Sequence, residues 1–252
     1  MKRILITGAA SGIGMATARH FHRQGWQLGL LDINEVALAK LADELGNSWH
    51  RRLDVTDADA CRQACEAFAG DQGLDVLFNC AGILSMGHFE DISPARHKQI
   101  IDINVTGLIN MSLAALPALK NSDAPAVINM SSASALSGVP HLASYSASKF
   151  AVRGLTEALH IEWKRLGIRV VDLMPPFVKT PMVDAADFRA PVVDRMGVNL
   201  TAEDIAAEAW KAANEKVPVH NPVGFTFKMM KLLDKLLPSA STRLIMTFLS
   251  RE

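Results

Sequence analysis

Short apolar and β-branched runs alternate along the chain with longer stretches in which apolar positions recur every three or four residues. The short runs predict strands at 3–7, 27–31, 49–53, 76–79, 126–130 and 169–173. The longer stretches predict helices at 13–24, 35–45, 57–69, 94–119, 145–166 and 202–213. Strands separated by helices form βαβ units, so the pattern predicts an α/β fold built on a parallel sheet.

The 252 residues fit one large α/β domain, although length alone also allows two smaller ones. We find no internal repeat, low-complexity tract or flexible linker that would divide the chain. We therefore expect one domain over 1–224, followed by an apolar, amphipathic C-terminal extension of the same domain over 225–252.

Charge and cysteine content narrow the functional classes. Lys+Arg and Asp+Glu both number 26, so the composition indicates neither nucleic acid nor an acidic membrane as a partner. Three cysteines are too few for a disulfide framework, and Cys61 and Cys65 are best interpreted as small buried thiols. No His/Cys spacing predicts a metal site. The apolar run after Met1 is too short for an export signal, which favours the cytoplasm.

A glycine-rich loop follows the first predicted strand and opens the first helix. Gly8, Gly12 and Gly14 have the spacing Gly-x-x-x-Gly-x-Gly. Glycines let a backbone turn tightly beside a ligand, and a helix N-terminus offers unpaired N–H groups to a pyrophosphate. A purely structural tight turn is the alternative.

Acidic and small residues follow the next three strands. Asp32 ends the second strand, where a carboxylate accepts hydrogen bonds from ribose hydroxyls and repels a 2′-phosphate. Ile33 and Asn34 follow without a basic residue, so we predict NAD over NADP. Asp54 is a candidate residue for contacting the adenine amine of the cofactor. Capping of the following helix at Asp57 is the alternative use of this acidic cluster. Strand ends of a parallel sheet share one edge, so these positions should gather there.

Tyr145 is the only tyrosine of the chain, and Lys149 follows it by four residues. On a helix, these two side chains share one face. A nearby cation favours the phenolate, so this pair is a candidate general acid/base. Taken alone, the motif also fits an ordinary surface pair.

Together these residues resemble the short-chain dehydrogenase/reductase family. The matching positions are Thr7, Gly8, Gly12, Ile13, Gly14, Asp54, Asn79, Ala81, Gly82, Asn104, Ser132, Tyr145, Lys149, Pro175 and Thr180. They occur in the family's order over about the first 180 residues. The resemblance implies a doubly wound, parallel, seven-stranded Rossmann-type sheet with helices on both faces.

The family implies a role for each matched position. Tyr145 would exchange a proton with the substrate oxygen, and Lys149 would lower the phenol's pKa and bind the nicotinamide ribose. Ser132, rather than Ser131 or Ser134, would hold the substrate oxygen; Asn104 would distort its helix and hold a water. The implied cofactor positions are Gly8, Ser11, Gly12, Ile13, Gly14, Asp32, Asp54, Val55, Asn79, Ala81, Gly82, Tyr145, Lys149, Pro175, Val178 and Thr180.

Two residues depart from the family pattern. Cys80 stands where a second Asn is common, and Pro176 stands where Gly is usual. Proline fixes φ and lacks an N–H, so the loop beside the nicotinamide is expected to run differently here.

The resemblance implies an NAD-dependent oxidoreductase that interconverts a secondary alcohol and a ketone, assembled as a homodimer or homotetramer. A substrate lid is expected near 176–200. Its apolar residues favour a steroid-like, lipid-like or other hydrophobic alcohol, and ordinary core packing of the same residues is the alternative. Two alternatives are an NAD-binding regulatory protein, which normally lacks the Tyr or Lys, and an NAD-dependent epimerase or dehydratase. The short C-terminal region disfavours the latter.

The C-terminal extension carries apolar residues at helical spacing over 225–237 and again near 243–249. Neither run is long enough to span a bilayer. One hypothesis is an amphipathic hairpin that contacts lipid or roofs an apolar pocket. Packing on the domain or on a partner subunit is the alternative.

Overall fold

A seven-stranded parallel sheet forms the centre of the computed structural model, which describes residues 1–46, 48–184, 188–224, 227–229 and 246–251. Its strands are β1 Arg3–Thr7, β2 Gln27–Asp32, β3 Trp49–Arg52, β4 Val76–Asn79, β5 Ala126–Met130, β6 Arg169–Met174 and β9 His220–Pro222. Their order across the sheet is β3-β2-β1-β4-β5-β6-β9. A separate parallel pair joins β7 Val178–Lys179 to β8 Leu200–Thr201. The predicted doubly wound α/β fold is confirmed.

Helices cover both faces of this sheet. The α-helices of the described chain are α1 Gly12–Arg23, α2 Glu35–Glu44, α3 Ala58–Ala69, α4 Pro94–Ile101, α5 Gly107–Leu119, α6 Ala143–Glu162, α7 Pro181–Asp184, α8 Pro191–Met196 and α9 Ala202–Asn214, of which α7 and α8 are short and lie on the substrate side. Alternation along each strand creates two cores: Ile4 and Ile6 pack toward α1, α2 and α9, whereas Leu5 packs toward α3 and α5. All three side chains are wholly buried.

The stretch 94–119, predicted as one helix, contains a π turn over Asp102–Thr106 between α4 and α5. Asn104 lies in this turn and is hydrogen-bonded to the backbone of Ile83, which explains the local change in helix winding. Pro94–Leu119 is long and apolar enough to cross a membrane by length and composition alone. In this fold, however, Met111 and Leu119 on its inner face are wholly buried in the core.

The seventh strand and the short elements near the substrate side escaped prediction. β9 has only three residues, His-Asn-Pro, which carry no β-branched run. α7 and α8 are one-turn helices that each begin with proline. The strand order reverses between β1 and β4, and this switch point is where ligands bind in open α/β sheets.

Candidate active site

A cavity of ≈ 450 Å³ lies beyond the carboxyl ends of the sheet strands. Every predicted cofactor position except Asn79 contributes to its wall. Ser132, Tyr145 and Lys149 also line it. The structure therefore brings together residues that are as much as 172 positions apart, from Gly8 to Thr180, as the strand ends predicted.

The glycine loop leaves no room for a side chain at Gly8 or at Gly14. A Cβ on Gly14 would lie 2.1 Å from the carbonyl oxygen of Gly8, and one on Gly8 would lie 2.9 Å from Cα of Ala81. Gly8 also has φ +68°, which side-chain-bearing residues rarely adopt. The N-cap Ser11 makes no side-chain capping bond, so the N-terminal amides of α1 stay available to an anion. This loop fits the pyrophosphate of a dinucleotide.

The Asp32 carboxylate is fixed at the end of β2 by two backbone amides. Its Oδ2 accepts a hydrogen bond from Ala10 N, and its Oδ1 accepts one from Asn34 N, both at 2.9 Å. No basic residue is adjacent to Asp32 in the sequence. In the sheet, however, Arg52 on β3 is the register partner of Asp32 and therefore lies beside it. Register between strands is invisible in a single sequence, which explains the omission.

Asp54 also lies on the cavity wall, and its carboxylate has a second task. Oδ1 accepts hydrogen bonds from the Thr56 backbone N at 2.9 Å and from the Thr56 hydroxyl at 2.8 Å. The capping role belongs to Asp57, whose side chain accepts a bond from Ala60 N at the start of α3. Asp54 therefore shapes the turn after β3 while facing the cavity.

Thr7 is a structural residue of the site that matched the family pattern but was given no role in the sequence analysis. Its hydroxyl oxygen accepts hydrogen bonds from the backbone N of Cys80 and of Ala81, both at 3.0 Å. These bonds join the end of β1 to the end of β4 and hold the cavity floor together. Its position directly before Gly8 was the available signal.

Tyr145 and Lys149 lie one helical turn apart near the start of α6, on the cavity side. The Lys149 ammonium is 5.4 Å from the centre of the phenol ring and donates a 2.7 Å hydrogen bond to the carbonyl of Met130. Ser132 hydrogen-bonds the Tyr145 side chain. The Ser132 hydroxyl also accepts a bond from Ser134 N at 3.2 Å, which orients it.

Burial shifts the two titratable groups in opposite directions. It raises the pKa of Tyr145 to about 12, against the lowering effect of the Ser132 hydrogen bond. It lowers the pKa of Lys149 to about 8. The lowered phenol pKa predicted from the sequence is therefore wrong, because the cost of removing the phenolate from water outweighs the stabilising hydrogen bond from Ser132.

Asn104 lies behind the cavity wall and is 2% exposed. Its Oδ1 accepts a bond from Ile83 N at 2.8 Å, and its Nδ2 donates to Ile83 O and to Ser148 Oγ, both at 3.0 Å. The Ser148 hydroxyl donates in turn to the carbonyl of Tyr145 at 2.7 Å. Asn104 thus connects the loop after β4 to the first turn of α6. Ser148 was not selected from the sequence, although it precedes Lys149.

Asn79 does not line the large cavity, in contrast to its predicted cofactor role. Its Nδ2 donates to Ser112 Oγ at 3.1 Å and to Asn129 Oδ1 at 3.0 Å. The reason is strand alternation: Asn79 is still within β4, and its side chain points toward α5 instead of past the strand end.

The two departures from the family pattern are accommodated. Cys80 lines the cavity, and burial raises the pKa of its thiol to about 12. Pro176 needs no hydrogen-bond donor, since the loop is anchored by the Pro175 carbonyl, which accepts a 2.8 Å bond from Ala133 N. The chain then enters β7, and Thr180 faces the glycine loop, with its Cγ2 3.3 Å from the position of a Cβ on Gly12.

The other half of the cavity is apolar. Its wall includes Ile83, Leu84, Leu136, Val139, Leu142, Phe177, Met182, Val183, Val192 and Met196. Two residues of the C-terminal extension, Phe227 and Met246, join this wall. Arg195 fastens the chain end by donating a 2.9 Å hydrogen bond to the carbonyl of Phe248. The rest of the predicted amphipathic extension, at 225–226, 230–245 and 252, lies outside the described residues.

The family model and the sequence relatives all indicate a dehydrogenase or oxidoreductase family. The family model described as short chain dehydrogenase matches residues 2–189. The oxidoreductase UcpA of Salmonella typhimurium is 39% identical over 190 residues, covering 73% of this chain and 72% of the relative. A 3-alpha-(or 20-beta)-hydroxysteroid dehydrogenase of Mycobacterium bovis is 36% identical, with 73% and 71% covered. A cyclohexanol dehydrogenase of Acinetobacter sp. is 32% identical, with 72% and 75% covered.

Solved structures share the fold. A short chain dehydrogenase/reductase from Burkholderia phymatum in complex with NAD has a TM-score of 0.77 and 27% identity, covering 87% of this chain and 88% of that one. ElxO with NADP bound has a TM-score of 0.78 and 25% identity, with 88% and 96% covered. Similar structures therefore bind either nicotinamide dinucleotide.

Proposed function

This chain belongs to the short-chain dehydrogenase family, and we propose that it is an NAD-dependent oxidoreductase that interconverts a secondary alcohol and a ketone on an apolar substrate. The observation that carries the proposal is the convergence of Ser132, Tyr145 and Lys149 on the cavity that the glycine loop also lines. An acid/base and a dinucleotide cradle in one cavity are the two parts that hydride chemistry on a carbonyl needs.

The cofactor would be held from one end of the cavity to the other. The amides at the start of α1 would bind the pyrophosphate, Asp32 the adenosine ribose and Lys149 the nicotinamide ribose. Val178 and Thr180 would hold the carboxamide. When bound, the nicotinamide supplies or accepts the hydride.

The protein's own part is proton transfer and placement. In alcohol oxidation, Tyr145 would take the hydroxyl proton while Ser132 holds the same oxygen; in reduction, Tyr145 would donate a proton to the carbonyl oxygen. The Lys149 cation, fixed by the carbonyl of Met130, stabilises the phenolate. Because burial favours the neutral phenol, oxidation depends on that cation more than reduction does.

NAD is proposed over NADP because the Asp32 carboxylate is held rigidly where a 2′-phosphate would add like charge. The register partner Arg52 partly offsets this repulsion, so we propose a preference and not an exclusion. Relatives whose structures hold NAD or NADP support the cofactor class.

An apolar substrate is supported by the wall that runs from Ile83 to Met246. It is also supported by the names of two relatives, a 3-alpha-(or 20-beta)-hydroxysteroid dehydrogenase and a cyclohexanol dehydrogenase. We propose a ring-containing or similarly hydrophobic secondary alcohol as the substrate class.

We also propose that the enzyme is a cytoplasmic homo-oligomer. Its three cysteines are free thiols, which suits a reducing compartment. Exposed apolar side chains on α4, α5 and α6 support self-association, among them Leu113 at 61% and Ile161 at 70% exposure.

The test is NADH formation with a panel of cyclohexanol, a hydroxysteroid and a short polar alcohol, with NAD and NADP compared in parallel. We expect turnover with the apolar alcohols and NAD. Tyr145→Phe should remove nearly all turnover while weakening NADH binding by no more than about fivefold, since the phenol contributes one hydrogen bond of about 1 kcal/mol to binding. Full activity of that variant would refute the mechanism, and no turnover with any alcohol or ketone would refute the proposed reaction.

A further inference from the structure

The imidazole of His97, in the first turn of α4, bridges two segments beside the active site. Its Nε2 lies 3.1 Å from the carbonyl oxygen of Phe89, and its Nδ1 lies 2.7 Å from Ser144 Oγ. A carbonyl oxygen only accepts hydrogen bonds, so Nε2 carries the proton and donates to Phe89. In the neutral ring, Nδ1 then accepts the hydrogen bond from the Ser144 hydroxyl. His97 therefore connects the segment before α4 to the start of α6 through both ring nitrogens.

The start of α6 has no side-chain cap. Its N-cap residue is Leu142, whose side chain offers no acceptor to the first backbone amides. Ser144 and Tyr145 are the second and third residues of this helix, so the candidate acid/base lies in the uncapped turn. Helix ends fray unless other contacts hold them. The hydrogen bond between Ser144 and His97 is such a contact, one residue before Tyr145.

The Phe89 side chain stacks on the imidazole of His97. The two ring centroids are 4.5 Å apart, and the ring planes are inclined by 25°. Phe89 is 61% exposed, so burial of its own ring does not account for this arrangement. The stack and the hydrogen bond to the Phe89 carbonyl together restrict rotation of the imidazole, which keeps Nδ1 directed at Ser144.

The same turn of α4 holds a loop that forms part of the substrate wall. Arg96, which precedes His97, donates from Nε to Ser85 Oγ at 2.6 Å and from Nη2 to the carbonyl of Leu84 at 3.0 Å. Leu84 lines the apolar side of the cavity. The first turn of α4 is thus bonded to the stretch after β4 at Leu84, Ser85 and Phe89, and His97 extends that attachment to α6.

Tyr145 lies between two attachments of this kind. On its C-terminal side, Asn104 holds Ser148, whose hydroxyl donates to the carbonyl of Tyr145. On its N-terminal side, His97 holds Ser144. The family resemblance implies a role for Asn104 and none for His97. No local spacing predicts the contact of His97 with Ser144, because the two residues are 47 positions apart.

We propose that His97 is a positioning residue for Tyr145: it fixes the uncapped first turn of α6 to the loop after β4, so that the phenol is held in one orientation toward Ser132 and the substrate oxygen. The inference rests on the proposed function for its catalytic meaning, because a displaced acid/base transfers protons slowly. Its physical content is the single orientation of Tyr145, which can be measured without turnover.

Three substitutions at position 97 separate the two hydrogen bonds. His97→Leu removes both. His97→Asn keeps an acceptor near the Nδ1 position for Ser144, whereas His97→Gln keeps a donor near the Nε2 position for Phe89. With NAD and the best alcohol of the panel, we expect His97→Leu and His97→Gln to lower kcat about ten- to hundredfold, the cost of a misplacement of up to about 1 Å. His97→Asn should restore most of kcat. The NADH dissociation constant should not change in any of the three, because His97 does not line the cavity.

The orientation of Tyr145 can be followed by ¹⁹F NMR after 3-fluorotyrosine labelling, and the signal needs no assignment because Tyr145 is the only tyrosine of the chain. We expect one narrow resonance in wild type and in His97→Asn. It should broaden or split in His97→Leu and in Ser144→Ala, which removes the same bond and leaves the imidazole in place. His22→Leu is the matched control and should change neither the resonance nor kcat, since His22 is exposed in the last turn of α1.

An unchanged resonance in folded His97→Leu overturns the proposal, whatever the activity of the variant. Equal kcat values for His97→Asn and His97→Gln overturn the assignment of the effect to the Ser144 bond. If His97→Leu does not fold, Ser144→Ala decides by the same criterion. A broadened or split resonance in a protein without dehydrogenase activity upholds the positioning of Tyr145 and refutes only the proposed reaction.

Discussion

The Lys149 ammonium nitrogen lies 5.4 Å from the centre of the Tyr145 ring, one turn away on the same helix. Burial raises the pKa of the Tyr145 phenol to about 12 and lowers the pKa of the Lys149 ammonium to about 8. Each group is therefore harder to charge here than in water. The site holds an acid/base and its cation at a cost in folding stability, which can be measured directly.

Lys149→Met should change the pH dependence of stability in a defined window. Below about pH 8 the lysine is charged in both the folded and the unfolded protein, so the full desolvation penalty applies. Between about pH 8 and the unfolded value of 10.5, the folded state loses its proton first, and stability rises with pH. Across this window, the unfolding free energy of the wild type should therefore rise by about 3 kcal/mol relative to that of Lys149→Met.

Urea unfolding at several pH values measures that difference. Tyr145, whose pKa is raised, lowers stability only above about pH 10, so the comparison between about pH 7 and 10 reports on Lys149. Lys98→Met is the control, since its side chain is 76% exposed and paired only at the surface. A constant difference between wild type and Lys149→Met from pH 7 to 10.5 would contradict a lowered lysine pKa.

Asp32 and Arg52 should together control cofactor choice. Asp32→Ser removes the charge that repels a 2′-phosphate, while Arg52 remains beside it in the sheet. We expect the ratio of kcat/KM for NADP to that for NAD to rise at least about tenfold, equivalent to about 1.4 kcal/mol. Adding Arg52→Gln should cancel much of this gain. If the double variant keeps the full gain, Arg52 takes no part in binding the 2′-phosphate.

The contrast between Asp32 and Arg52 shows how far one sequence predicts this site. Asp32 and the glycine loop could be predicted from the sequence because each directly follows a strand, and the ends of parallel strands meet at one edge of the sheet. The proximity of Tyr145 and Lys149 could be predicted because the two residues are one helical turn apart. Each of these predictions uses only local spacing plus the βαβ pattern.

What escaped prediction depends on register and on local strain. Two pairs of residues come together only when neighbouring strands align: Asp32 with Arg52, and Asn79 with Asn129. Asn79 was misjudged because its proximity to the strand end hid the direction of its side chain. The helix distortion at Asn104 was expected from the family resemblance alone, because the π turn depends on bonds to Ile83, 21 residues earlier, which no helical periodicity contains.

Gly14 and Gly154 form a matched pair for testing the glycine cradle. A Cβ on Gly14 would meet the Gly8 carbonyl at 2.1 Å, so Gly14→Ala must displace the loop. We expect a loss of about 1–3 kcal/mol in stability and at least about tenfold weaker NADH binding. Gly154 lies exposed within α6 with open space around its Cα, and Gly154→Ala should stabilise by about 0.5–1 kcal/mol.

Thermal unfolding and fluorescence titration with NADH measure both effects. Gly154→Ala should leave the NADH dissociation constant unchanged, since its position is on the outer surface of the helix. If Gly14→Ala binds NADH as tightly as Gly154→Ala does, the loop is not the pyrophosphate site.

Met246 and Phe248 test whether the end of the chain belongs to the substrate wall. Met246 lines the cavity, whereas Phe248 is 65% exposed and its carbonyl accepts a hydrogen bond from Arg195. Met246→Gln places a polar group against the substrate and should raise KM for an apolar alcohol about three- to tenfold, the cost of a partly lost apolar contact. KM for NAD should not change. Phe248→Gln should affect neither constant, because its backbone bond survives the substitution. Steady-state kinetics decide the matter, and equal KM values for Met246→Gln and wild type would remove the C-terminal segment from the substrate site.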